Sequence, residues 1–416
     1  MKDIELNGRY YFYIEYYVYV RCSENSVLLF NTLDNKYDIY YDRRIISLIR
    51  KVESVANRVI EIDFDTKEFQ KKVYKSFFCN VLNKYMGDLV GVGESVSAPI
   101  NYRPICVINN NCRDSENNLL GGQILENYIF NINIYLNTDC RYNCLECNSY
   151  YKQFLCCSKM EEESFCKDLE ISHVRKLFNG VKLDNLLSIN ILGGNISLYK
   201  SIDDLFEIID LYREKTYAYY NWLNFSSISH EIKCFFENRI RVIVDMEFSD
   251  QIDLDKLVAK CNDYEIHFIV RSDYQVEKVV QHSVMGGKYK IIPFYDRTNL
   301  DFFKDNVFLN KNDILCKKTS ISEIHRNQVL NSYYFGDITI FPNSKVLIYG
   351  EENSIGNLNE NTINNLVSMC LKNENSLWFK TRNKTICDNC LFVDLCPPIS
   401  NYELAIGKPN LCNITI

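Results

Sequence analysis

Between residues 128 and 320, six apolar runs alternate with amphipathic helical segments, and that alternation leaves few architectures open. The runs are 128–136, 186–192, 219–225, 241–246, 264–270 and 288–295. Between them stand SHVRKLF, SIDDLFEIIDLYREK, HEIKCFFEN, DLDKLVAKC and YQVEKVVQHSV, each with helical spacing of its apolar residues. Strands separated by helices predict a parallel sheet with right-handed crossovers, an α/β fold. Such folds place ligands at the carboxyl ends of their strands.

The flanking regions have other patterns. Residues 1–85 read as a small α/β module, with β-rich YYFYIEYYVYV and a hairpin SVLLFNT-LDNK-YDIYY. Helical RRIISLIRKV and DTKEFQKKVYKSFFCNVLNKYM follow. Residues 86–127 are rich in turn formers and read as a linker or lid; their GVGES lacks the lysine of a phosphate-binding loop. Residues 321–416 carry DITIFPNSKVLIYG, a hairpin turning at Pro342-Asn343-Ser344, then the helix TINNLVSMCLKN.

Cysteine is over-represented, at 18 of 416 residues, and half of it is scattered singly as small buried hydrophobes would be. Two arrays are not scattered. Cys140, Cys144 and Cys147 form C-x3-C-x2-C just past the first strand, on the expected ligand rim. Cys387, Cys390 and Cys396 form C-x2-C-x5-C, with Cys412 sixteen residues on. Three thiolates can hold three corners of a 4Fe–4S cube and leave the fourth iron open, whereas four close it. Zinc is the alternative at both arrays, as a three-cysteine site completed by a remote group or as a four-cysteine knot. Cys156 and Cys157 form an adjacent pair near the first array.

The chain has no basic and apolar segment at its start and no apolar run of about 20 residues, so neither secretion nor a membrane span is expected. That cysteine usage predicts a cytoplasmic protein using thiols for metal ligation. A formal charge of −7 argues against nucleic acid as a partner. No histidine joins a serine, cysteine or acid in a hydrolase motif. Other rim candidates are Gly193, Gly194 and Asn195 after the second strand, Ser226 and Ser227 after the third, Asp245 after the fourth and Arg271 after the fifth. Adjacent glycines at a strand end let a ligand approach the backbone, since no Cβ intrudes.

A C-x3-C-x2-C array after the first strand of six βα units, then a Gly-Gly strand end, resembles the radical S-adenosylmethionine enzymes. The terminal array after a hairpin is similar to a SPASM domain, and the ending LCPPISNYELAIGKPNLC resembles the pseudo-radical-SAM/SPASM proteins of Gly-Gly leader-peptide cassettes. The resemblance implies a partial (β/α)6 TIM-like barrel, a winged-helix-like N-terminal peptide-recognition module and a C-terminal SPASM cluster domain. It implies that Cys140, Cys144 and Cys147 hold one 4Fe–4S cluster beside S-adenosylmethionine, and that Gly193, Gly194, Asn195, Ser226 and Asp245 bind that cofactor. Cys387, Cys390, Cys396 and Cys412 match the ligands of one auxiliary cluster. Those of a second are missing, with Tyr349-Gly350 and Ser400 in their places.

Two positions depart from the pattern. Glu146 stands where an aromatic residue packs on adenine, and Gly-Gly continues into Asn195-Ile196 rather than Glu-Pro. The activity implied is modification of a ribosomally made precursor peptide through a 5′-deoxyadenosyl radical. Its partners would be the leader-bearing peptide and an external electron donor. The alternative is a catalytically silent scaffold that binds the peptide for a partner enzyme. No general base is assignable from the sequence.

Overall fold

The computed structural model describes residues 7–93, 97–101, 125–140, 142, 144, 146–158, 168–179, 183–251, 253–258, 264–283 and 288–414. Most of the expected linker, including its second turn-rich stretch, lies outside these residues.

The amino-terminal part holds six strands: β1 (Arg9–Ile14), β2 (Val18–Cys22), β3 (Val27–Asn31), β4 (Tyr37–Tyr40), β5 (Val59–Asp63) and β6 (Gly87–Gly91). They form two antiparallel sheets of order β5-β1-β6 and β2-β3-β4. The tyrosine-rich run 10–20 is therefore two strands in different sheets, broken by a turn in which the Val18 amide donates to Glu15 O. The hairpin across 33–36 forms as expected. The third strand of the first sheet comes from beyond residue 85, as β6. Helix Arg43–Ser54 is capped by Asp42, whose side chain accepts from the Arg44 amide, and buries Ile45, Ile46, Leu48, Ile49 and Val52. With Phe77 and Phe78 of helix Lys72–Asn83, these side chains form one apolar core.

The remaining described strands make one nine-stranded sheet. Six are parallel neighbours: β7 (Asn131–Tyr135), β8 (Ser188–Leu192), β9 (Thr216–Asn221), β10 (Ile240–Asp245), β11 (Glu265–Val270) and β12 (Tyr289–Pro293). The carboxy-terminal hairpin, β13 (Asp337–Ile340) and β14 (Lys345–Ile348), joins the same sheet, because β13 pairs in parallel with β7. A short β15 (Gly356–Asn357) completes the order β12-β11-β10-β9-β8-β7-β13-β14-β15. The fold is mixed α/β with a large parallel sheet. Among the described residues no pairing joins β12 to β15, so the sheet is not closed into a barrel there.

Alternation sorts the two faces. Ile132, Ile134, Ile189, Ile191, Val242, Val244, Ile266 and Phe268 point to the helices and are all at most 1% exposed. At about 25 cal/mol per Å² of buried apolar surface, burying this layer favours the fold. The opposite face carries Tyr135, Leu192, Tyr219, Ile243 and Ile269 in a second apolar cluster, with polar residues at both ends. A third cluster joins Tyr19, Leu28 and Phe30 to Phe392 and Leu395, so the amino-terminal part packs directly on the terminal cysteine region. The buried Tyr19 hydroxyl donates to Asp394 Oδ2 at 3.0 Å across that contact.

Candidate functional site

The first array begins where β7 ends. Leu136 and Gly194 donate backbone hydrogen bonds to Leu192 O and Asn137 O, so 136–139 runs beside 192–195. Asn137, 1% exposed, clamps the pair: its Nδ2 donates to Asn195 O at 2.9 Å, and its Oδ1 accepts from the Asn195 amide. A Cβ on Gly193, whose φ is +132°, would lie 2.9 Å from Asn137 O. One on Gly194 would lie 2.7 Å from the Asp139 carbonyl carbon and closer to its oxygen. The space a Cβ would fill at the two glycines is thus taken by the chain leading to Cys140. Asn195 is 6% exposed and its side chain caps a short turn by accepting from the Ser197 amide.

Cys144 and Cys147 line a cavity of about 200 Å³ at the carboxyl ends of β9 to β11. Cys156, Cys157 and Asp245 line it too. Asn221 Nδ2 lies 3.7 Å from Cys144 Sγ, and Asn224 Nδ2 lies 3.6 Å from Cys140 Sγ. Burial pushes the Cys144 thiol up to about 12, and the neighbouring Cys147 and Cys140 add to it. Deprotonating the Cys144 thiol therefore needs a compensating positive charge such as a metal supplies.

Asp245 faces this cavity but is already engaged. Arg271 Nη1 donates to its Oδ1 at 2.5 Å and Nη2 to its Oδ2 at 3.0 Å, and the Tyr150 hydroxyl donates to Oδ2. All three groups are largely buried, which makes this a fixed strut. Tyr150 ends the short helix Cys147–Tyr150, so the network ties the third cysteine to the rims of β10 and β11. Glu146 precedes that helix and lines a separate cavity of about 660 Å³ with Lys152, Arg297 and Glu352. Strand β9 ends at Asn221, whose side chain accepts from the Leu223 amide and stops it. Ser226 and Ser227 therefore close the following 3-10 turn instead of the strand, and their side chains lie outside the described residues. Asn137, Tyr150, Asn221 and Asn224 had no local signal in the sequence. Asn221 ends a strand, Asn137 and Asn224 follow strands, and Tyr150 ends a helix, so only the assembled rim marks them.

Cys387, Cys390, Cys396 and Cys412 line one cavity together, distant in sequence but joined in space. Arg382 reaches its wall and donates to Glu403 at 2.7 and 3.2 Å. Burial raises the Cys396 thiol to about 12, with Arg382 opposing. Glu403 also completes a capping box with Ser400, accepting from its amide at 2.7 Å. Ser400 thus starts a helix where the resemblance would have a cysteine. Tyr349 is packed inside, and Gly350, at φ +85°, leaves room for Asn401 Oδ1.

Among the described residues no three His, Cys, Asp or Glu side chains are gathered as around one metal ion. Cys387, Cys390, Cys396 and Cys412 instead surround one space, and Cys144 and Cys147 share the wall of another with Cys140 on the adjoining loop, an arrangement that suits a cluster because its thiolates sit at separate corners. The donor sets fit that group. The second cavity, about 20 Å³, has room for roughly one water and would have to open to admit it. No described helix is long and apolar enough to cross a membrane.

No protein-family model matches this chain, and no curated protein matches it. Two solved structures of Streptococcus suis SuiB are similar to it over most of its length. SuiB bound to precursor peptide SuiA is 13% identical, with 97% of this chain and 99% of that chain covered and a TM-score of 0.43. SuiB without peptide is 15% identical at the same coverage, with a TM-score of 0.44. Likeness at this level assigns no activity.

Proposed function

We propose that this chain is a radical S-adenosylmethionine enzyme that modifies a ribosomally made precursor peptide. The observation carrying the reading is the thiol-lined cavity at the carboxyl ends of the parallel strands, with Cys144 and Cys147 in its wall and Cys140 on the loop beside Gly194. Cys140, Cys144 and Cys147 would hold a 4Fe–4S cluster with one iron free of protein ligand. Bound there with S-adenosylmethionine, that group supplies a 5′-deoxyadenosyl radical able to take a hydrogen atom from the peptide.

The protein's own residues hold and shield. The close approach of Gly193 and Gly194 to 137–139 fixes the loop, and the Tyr150–Asp245–Arg271 strut fixes the helix that begins at Cys147. Ile243, Ile269, Trp222 and Phe248 give the cavity apolar walls, which would limit water around a bound cofactor. Cofactor contacts at Gly193, Gly194, Asn195, Ser226 and Asp245 remain proposals from the resemblance. Cys387, Cys390, Cys396 and Cys412 would hold the auxiliary cluster. Residues 1–85 would bind the peptide leader, by adding its strand to an open β-edge. An external donor would supply the electron.

The test is 5′-deoxyadenosine formation by anaerobically reconstituted protein given S-adenosylmethionine, dithionite and the candidate peptide. The nucleoside should form well above a Cys144→Ala control. None from fully loaded protein would leave a peptide-binding scaffold without this chemistry.

A further inference from the structure

The face of the sheet that carries Tyr219 has a further cavity that the cysteine chemistry does not use. It measures about 350 Å³ and lies at the amino ends of the strands, where Asn131 and Ser188 open β7 and β8. One segment separates the two cavities: Tyr150, Cys156 and Cys157 line the upper one, Phe154 and Leu155 the lower.

The lower cavity is built from charge. Arg241 lies over Tyr217, its guanidinium carbon 4.1 Å from the ring centroid, and donates to the Tyr219 hydroxyl. Lys290 Nζ and His267 Nε2 meet the same oxygen of Glu265, at 2.8 and 2.9 Å. Burial disfavours the charged form of His267, and Asp337, buried beside Asn133, is pushed well above the carboxylate range. One carboxylate, Glu265, therefore answers two permanent cations, and a positive charge is left over.

Polar atoms here also lack partners. A neutral His267 that gives its Nε2 proton to Glu265 presents Nδ1 as a bare acceptor, and that atom is buried with no hydrogen bond. The Tyr349 hydroxyl is likewise buried and unpartnered. Both residues line the cavity, at 5% and 6% exposure. Unanswered buried groups are costly, so two of them in the wall of one cavity call for an explanation. Arg241 Nε is a third such group, 4.0 Å from Glu265.

We propose that the lower cavity binds a carboxylate with an adjacent amide N–H, the grouping an acidic residue or the C-terminus of a peptide presents. The carboxylate meets Arg241 and Lys290, the N–H meets His267 Nδ1, and Tyr349 completes the shell. A peptide as its source rests on the peptide-modifying reading; binding of the grouping does not.

Isothermal titration of the full chain with three small probes decides it. N-acetyl-glutamic acid α-amide carries the side-chain carboxylate, N-acetylglycine the terminal one, and N-acetyl-glutamine α-amide neither. One of the two acids should bind at least about tenfold more tightly than the glutamine probe, and which one names the source. Arg241→Gln should abolish that preference. Tyr349→Phe should weaken binding several-fold without lowering the unfolding midpoint, because it deletes only an unpartnered hydroxyl. Cys144→Ala should leave the titration unchanged, so a failed cluster reading and a failed carboxylate site are separable. Equal binding of all three probes, no binding of any, or indifference to both cavity variants overturns the proposal.

Discussion

Gly194→Ala should damage the first cysteine array and spare the second. The added Cβ would lie 2.7 Å from the Asp139 carbonyl carbon, a backbone atom that no side-chain rotation can clear. Carbon atoms rest at about 3.5–4.0 Å, so the strand end and the 137–139 loop must separate by about 1 Å. Overpacking of this kind costs about 1–3 kcal/mol. Its geometric effect is larger, because Cys140 sits one residue past the displaced carbonyl and a shift of about 1 Å in a reacting site costs about 10²-fold in rate. Gly194 has no left-handed φ to preserve, so the clash acts alone; at Gly193, φ +132° adds backbone strain. Urea unfolding and the rate of 5′-deoxyadenosine formation would be measured on the same preparations. An alanine variant with wild-type stability and rate would refute the close approach as the reason for the two glycines.

Two further outcomes follow from buried charge. Glu403→Ala leaves buried Arg382 without its carboxylate partner, though it keeps the carbonyls of Pro397, Pro398 and Pro409, and breaks the capping box; it should cost about 3–5 kcal/mol in chemical denaturation while lowering metal retention by the Cys387–Cys412 set. Glu265 is held down to about 2 in the folded chain, first by the His267 hydrogen bond, from an ordinary 4.5. A depressed carboxylate stabilises the fold above its unfolded value and loses that contribution as pH falls through the folded one. Wild-type stability should therefore decline between about pH 4.5 and 2 more steeply than that of Glu265→Gln, read from urea midpoints across that range.

The six parallel strands were legible because a sheet buried on both faces is written as apolar runs, and 186–192 or 264–270 leave little choice. Boundaries were lost where apolar character continued past the true end. The run 219–225 stays apolar through a 3-10 turn, and only the Asn221 side chain stops the strand. The run 10–20 holds two strands with no glycine or proline to mark the break. Pairing of β13 with β7 joins residues some two hundred apart, which no local pattern encodes. In the candidate site the cysteines were visible through their spacing. The residues that position them were not, since Asn137, Tyr150 and Asn221 are ordinary until the fold brings them to one rim. The glycine pair was visible as a place of close approach, and the chain leading to Cys140 makes one such approach.

Iron counting on anaerobically reconstituted wild type, Cys144→Ala and Cys396→Ala tests the two-cavity account most directly. About eight irons per wild-type chain and about four in each variant are expected, from two independent four-iron clusters. Zinc in place of iron, about twelve irons, or loss of all iron from a single variant would contradict it.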